Sequence, residues 1–376
     1  MSADLQTGKI ARKFSQLNPW VLILFIFPIP VFFLGSLYYY WATSRNDYKR
    51  VTSQFIQRQN QVLAYDAMGV AKEVAHWMEG TAHDLQTLSL ISPTLSHLTQ
   101  FYLSRVGQLT QLDPRDDSIN TIPLPLYNEI IYFNLQGHEQ LHLKNGRSET
   151  HLRSLSQCLG QDLCDSELIK KAMGLSPGEL YFGKLARWYS KEKELEKIEG
   201  AYLPVVYRAN DSIFLLGLDY RYLKELLAQP TFPYERKQNL LQSYQNGNYI
   251  YIVDSEFDFI AHPKYWNVTG VDPKTFLRMR PMELDSDEGT HPINIQHYRG
   301  EKLRTYFQRL LNRSFLQKTV DIFQASNLGG GNRVLSIAPI ILQKGQFQKS
   351  GVYGYVILGC SVDYFEEPKE QYVPYF

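Results

Sequence analysis

Hydrophobic and polar positions divide the chain into three stretches of different rhythm. The first, from Trp20 to Tyr40, reads WVLILFIFPIPVFFLGSLYYY and holds no charged residue. About 20 apolar residues rising 1.5 Å each cross the roughly 30 Å hydrocarbon core of a bilayer, so this run predicts a transmembrane helix. Trp20 at one end and Tyr38, Tyr39, Tyr40 and Trp41 at the other supply aromatic belts. Pro28 and Pro30 should kink it, which a bilayer tolerates. The apolar region is too long for a cleaved signal peptide and no small-residue cleavage site follows, which indicates a retained anchor at 19–41 behind a cytoplasmic tail at 1–18. Length alone also admits a buried core helix. Lys9, Arg12 and Lys13 before the span nearly balance Arg45, Lys49 and Arg50 after it. The shortness of the leading tail favours a bulk that lies outside the cytoplasm.

In the second stretch, from about Asn46 to Leu112, strand alternation is missing. Val51, Phe55, Val62, Val70, Val74, Trp77, Leu85 and Leu88 recur at helical spacing, predicting a long stalk helix over 42–115 with a break near Ser92-Pro93. One apolar stripe on a polar helix needs a cover, either the chain's own folded body or the same helix of a second copy, which would make a homodimer.

The third stretch is a series of short alternating segments punctuated by Gly, Asn and Pro, and it repeats. Asn128–Leu143 reads NEIIYFNLQGHEQLHL and Asn248–Pro263 reads NYIYIVDSEFDFIAHP, each an apolar strand, a turn and a second strand. Two long strands close each copy: GAYLPVVYRA and DSIFLLGLDY in the first, RVLSIAPIIL and GVYGYVILGCSVDY in the second, with a helix expected at Arg221–Ala228. The pattern is that of an α+β protein with two antiparallel-sheet modules in tandem, at 116–235 and 236–366, and a short tail at 367–376.

Composition narrows the function. The 376 residues carry a formal net charge of +1 with neither a basic stripe nor an acidic tail, so nucleic acid is not an expected partner. Three cysteines make no disulfide scaffold, yet Cys158 and Cys164 stand close enough for one bridge in an oxidising compartment, or for two neighbouring thiols; Cys360 reads as a core thiol. His138-Glu139-Gln140-Leu141-His142 fits the HExxH pattern of zinc proteases, but that chemistry needs a helix. Here the segment reads as the second arm of a hairpin, where the two imidazoles stand about 13 Å apart at roughly 3.3 Å per residue. Gly329-Gly330-Gly331 lacks the ending of a phosphate loop, no Gly-x-Ser-x-Gly elbow occurs, and His262 reads as a strand end. A binding protein, not an enzyme, and one without a cofactor, is the expectation.

The best binding candidate is the segment KLARWY, Lys184–Tyr189. Arg187 offers a planar fork for a carboxylate, and Trp188 and Tyr189 offer rigid walls or a cage for a cation. Tyr202 and Tyr207 fall on the adjacent predicted strand and Asp219 on the next. In the bland alternative the aromatics are core residues and Asp219 caps the following helix.

The anchor, the long membrane-proximal helix, YIYIVDSEFDFIAHP, and the closing strands LLGLDYRYLKELL and GYVILGCSVDYF together resemble the double Cache (tandem PAS-like) extracytoplasmic sensor domains of bacterial chemoreceptors and sensor kinases, over residues 45–366. The resemblance implies a periplasmic or extracellular sensor on the bacterial cytoplasmic membrane, active in chemotaxis or other signal transduction. It further implies that the membrane-distal module binds an amino acid, another small carboxylate or an amine. Amino-acid-binding members carry Arg, one spacer and Trp-Tyr; here Ala186 takes that Arg position and Arg187 abuts Trp188. Asp219 matches the family's acid for a ligand amine. Receptors of this kind usually continue into a second span and an output module. The tail EEPKEQYVPYF leaves open a cut-down chain or a single-pass protein read out by membrane or envelope partners. The competing class is an adaptor subunit that keeps the fold without the pocket.

Overall fold

The computed structural model describes residues 28–112, 119–152, 166–192, 195–223, 249–262, 305–309, 321–326 and 332–361. Residues up to Gln59 fall in one unit and Asn60–Glu367 form a second, compact one. Helix α1 runs through Pro28–Leu88. From Val31 to Trp41 its large apolar side chains are exposed, Phe32 at 80%. From Asn60 onward one face is buried, through Leu63, Ala67, Ala71, Val74, Met78, Ala82, Leu85 and Leu88. These steps of three and four are the helical period. Three alanines in that row let a helix backbone come close to its neighbours. The stripe is covered by the chain's own core, the simpler of the two covers expected.

The expected break is present. Leu88 ends α1, and Thr94 opens α2 (Leu95–Ser104) by accepting a hydrogen bond from the His97 N–H on its side-chain oxygen. Helix does not, however, persist to residue 115. Strand β1 (Val106–Leu112) pairs antiparallel with β2 (Ile119–Pro125), Val106 opposite Pro125 and Leu112 opposite Ile119. Val106, Leu109 and Leu112 stand three apart and mimic a helical face, but a long-range contact decides the matter. The Tyr222 hydroxyl donates to the Leu124 carbonyl, and its ring lies so near Gly107 that a Cβ there would come within 2.6 Å of the hydroxyl oxygen.

The first module follows as β3 (Tyr127–Asn134), β4 (Glu139–Lys144), β5 (Arg147–Ser148), α3 (Ser166–Gly174), β6 (Leu180–Phe182), β7 (Ala186–Glu192), β8 (Leu195–Arg208) and β9 (Ser212–Asp219). The second comprises β10 (Tyr249–Asp254), β11 (Phe259–Ala261), β12 (Asp321–Ser326), β13 (Asn332–Ile341), α4 (Phe347–Ser350) and β14 (Val352–Ser361). The first sheet runs β5-β4-β3-β9-β8-β6, with β7 also on β8; the second runs β11-β10-β14-β13-β12. In both, the hairpin's first strand pairs with the module's last strand, which pairs with the one before it. The predicted repeat is thus a repeat of topology.

The likeness reaches single residues. Tyr132 lies opposite Leu141 and Phe133 opposite Glu139, leaving Gln140 as a bulge; Ile252 lies opposite Ala261 and Val253 opposite Phe259, leaving Ile260. Every member of the second set stands 120 residues after its counterpart. The turns match too. Asn134 Oδ1 accepts from the N–H groups of Gln136 and His138, and Asp254 Oδ1 accepts from those of Glu256 and Asp258. Both turns pass through positive φ, at Gly137 (79°) and at Phe257 (71°).

Candidate ligand-binding face of the first module

Side chains alternate across the first sheet, so its two faces have different covers. Ile130, Leu203, Val205, Phe214 and Leu216 join the core that contains the buried stripe of α1. Ile131, Phe133, Ala186, Tyr202, Val206, Ile213 and Leu215 form the other face, closed by Leu168 and Ala172 of α3. That second face carries polar chemistry.

Glu129, Glu139 and His142 are each at most 7% exposed. His142 Nε2 makes a short hydrogen-bonded ion pair with Glu129 Oε2, and its Nδ1 lies 3.5 Å from Glu139 Oε2. The Gln140 bulge creates this cluster. Glu139 and His142 are three residues apart and would point to opposite faces of a regular strand, but the extra residue brings both to the side of Ile131 and Phe133. Burial pulls the imidazole pKa down, while the hydrogen bond to Glu129 and the charges of Glu129 and Glu139 more than offset it, to about 9. The imidazole is therefore a cation at neutral pH. Next to the cluster the Tyr202 ring lies over Gly217, where a Cβ would sit 2.5 Å from the ring and 2.8 Å from the Glu129 Cβ.

The segment expected to bind ligand forms β7. Its register places Ala186 opposite Tyr202, Arg187 opposite Ala201, Trp188 opposite Gly200 and Tyr189 opposite Ile198; Tyr202 in turn lies opposite Asp219. Three neighbouring strands thus set these residues in one stretch of the sheet, but not on one face: Arg187 is in register with Ala201 of the α1-side core, whereas Tyr202 belongs to the face covered by α3. The side chains of Arg187, Trp188 and Tyr189 lie outside the described residues. Tyr207 is not brought to Tyr202: five residues along β8, it packs on the α1 side of the sheet. Asp219 is buried and its carboxylate is held by Arg221, Nη2 to Oδ2 at 2.6 Å and Nε at 3.0 and 3.1 Å, with the Arg221 N–H donating at 2.8 Å. Those bonds close the turn into the helical residues 220–223, the capping role set beside the ligand role in the sequence.

His138 is exposed and His142 buried, on a strand, so the zinc-protease pattern has no shared face here. Among the described residues no group of three or more His, Cys, Asp or Glu is arranged to hold a metal ion. His262 packs against Phe259 and Tyr251, with ring centroids at 5.0 and 5.6 Å. Cys158, Cys164 and Gly329–Gly331 lie outside the described residues. The Glu129–His142–Glu139 cluster was missed in the sequence. The repeat could have flagged it, because His142 and His262 occupy equivalent positions and Glu139 stands where the second copy has Phe259.

No family model matches the chain, and no curated protein does. Among solved structures, it is similar to the extracellular domain of vpHK1S-Z8, described as a histidine kinase (TM-score 0.49, 14% identity, 85% of this chain and 95% of that one). It is also similar to a domain of a sensory box/GGDEF family protein from Vibrio parahaemolyticus (TM-score 0.47, 14% identity, 84% and 99%). A third is the periplasmic sensory domain of the Campylobacter jejuni chemoreceptor Tlp1 (TM-score 0.46, 10% identity, 84% and 99%). The chain is similar over most of its length to the extracellular sensor domains of kinases and chemoreceptors.

Proposed function

We propose that this chain is a non-enzymatic, membrane-anchored extracytoplasmic sensor that binds a small amino acid, carboxylate or amine at the β7–β8–β9 part of its first module. The β7–β8–β9 register carries the proposal, since it sets Arg187, Trp188 and Tyr189 beside Tyr202 and Asp219. A rigid sheet that presents aromatic walls and a few convergent charged groups is the ordinary make-up of a small-molecule site. Anchoring is supported by the exposed apolar run Val31–Trp41 on α1. Among the described residues no helix is long and apolar enough to cross a membrane, and residues 20–27 of the expected span lie outside them.

One observation favours the second reading, an adaptor without a pocket: the Asp219 carboxylate is already engaged by Arg221. A thermal-shift screen of the full chain in detergent against amino acids, organic acids and amines separates the two. A ligand at 100 times its Kd adds about 2.7 kcal/mol to stability. The sensor reading expects at least one such ligand and loss of its shift in Arg187→Ala and Tyr202→Ala; silence across the panel supports the adaptor.

A further inference from the structure

The strand that carries Arg187, Trp188 and Tyr189 is tied at its root to the second module. Gln346 grips β6 from both sides, its Oε1 accepting from the Phe182 N–H at 3.0 Å and its Nε2 donating to the Phe182 carbonyl at 2.6 Å. The Phe182 ring meets the Phe347 ring, with centroids 6.3 Å apart. Two residues on, Lys184 Nζ donates to Glu256 Oε2 at 2.5 Å, an ion pair between the β6–β7 connection and the β10–β11 turn. Burial pulls the Lys184 pKa down, but the Glu256 bond and the charges of Asp254 and Asp258 win and raise it.

Asp254, in the same turn as Glu256, is 5% exposed, and its Oδ1 accepts from the Glu256 and Asp258 N–H groups. Facing it are Asp258 and Glu256 of its own turn, Lys184 of the first module and Tyr353 of β14, which in turn senses Tyr181 of β6. Burial, followed by the Asp258 charge, lifts the Asp254 carboxyl to about 7. An acid is not needed to make this turn, because Asn134 forms the same two side-chain bonds in the first copy. The charge is what the second copy adds, in the turn whose Glu256 pairs with Lys184 of the other module.

We propose that Lys184, Glu256 and Asp254 form a pH-responsive clamp that holds the root of the candidate ligand strand to the hairpin of the second module. Above neutrality the ionised Asp254 strengthens the field that keeps Lys184 on Glu256. Proton uptake removes that charge and loosens the clamp, leaving Gln346 as the main tie. The clamp links the occupancy of β7 to the second module, and in that respect it rests on the ligand reading given above.

The Phe182 amide is the reporter, because its acceptor lies in the other module. Hydrogen exchange of peptides covering 181–186 is measured on the full chain in detergent, with rates corrected for the intrinsic effect of pH. At pH 8, Lys184→Met and Glu256→Gln should each raise exchange about threefold, and the double variant no further. The wild type should loosen in the same way between pH 8 and pH 6. Asp254→Asn should match the low-pH state at pH 8 and show no pH response, while the amides of Glu256 and Asp258 stay protected because Asn Oδ1 can accept both. Additive single effects, a pH response that survives in Asp254→Asn, or an Asp254→Asn turn that loses protection would overturn the clamp. None of these readings needs a ligand, so an empty thermal-shift screen and a failed clamp are distinguishable.

Discussion

The two hairpins share a backbone down to the bulge and the two bonds inside each turn, yet they are wired for different chemistry. At one equivalent position His142 lies between two buried glutamates, while His262 lies among aromatic rings. At another, half-buried Asn134 stands against deeply buried Asp254. The first copy places its charge on the sheet face beneath α3 and the second places it in the turn, toward the other module. Duplication of the backbone therefore left each copy free to put charge on a different side.

The comparison breaks most sharply at the histidines. His142→Leu leaves the Glu129 and Glu139 carboxylates buried beside an apolar side chain, a loss of about 3–5 kcal/mol. His262→Leu replaces a ring that packs against Phe259 and Tyr251 and should cost less. Urea unfolding of the full chain in detergent measures both, and equal costs would remove the electrostatic distinction between the copies.

The pH dependence sharpens the same contrast. His142 is raised from 6.5 to about 9 in the folded protein, so its contribution is complete below about pH 6.5 and is lost as pH rises through 9. The upper bound is about 3 kcal/mol, at 1.36 kcal/mol for each pK unit. Unfolding midpoints between pH 6 and pH 10 should fall in the wild type and fall less in His142→Leu.

Smaller effects test the turns. Phe257 adopts positive φ while its ring packs 4.5 Å from that of Phe307, so packing holds a conformation that favours glycine. Phe257→Gly removes a buried ring worth about 3–5 kcal/mol and relieves about 1–2 kcal/mol of backbone cost, a net loss of roughly 2–3 kcal/mol. Gly137→Ala meets the backbone cost of positive φ, about 1–2 kcal/mol. Asn134→Asp should change the midpoint least, by under about 0.5 kcal/mol, since the site is half-buried and the bonds survive. A large pH-dependent shift in that variant would show that the first turn, too, is electrostatically coupled.

Alternation, turn residues and the 120-residue repeat made the strands and both hairpins legible, and Ser92-Pro93 marked the helix break. Tyr202 and Tyr207 show a parity that was equally available: five residues along one strand place two side chains on opposite faces. Strand β1 was misread because apolar residues three apart fit a helix until β2 pairs with them. Glu139 and His142 could not be paired by parity, because an odd separation separates side chains until a bulge reverses it.

Local rules were enough for the α+β class and the duplicated sheet, because periodicity and turn chemistry act over a few residues. Only the folded chain decided which charges meet. A bulge one residue long joined His142 to Glu139, and the packing of two modules set Lys184 on Glu256. Electrostatic partners depend on distances across the fold, which no spacing along the chain encodes.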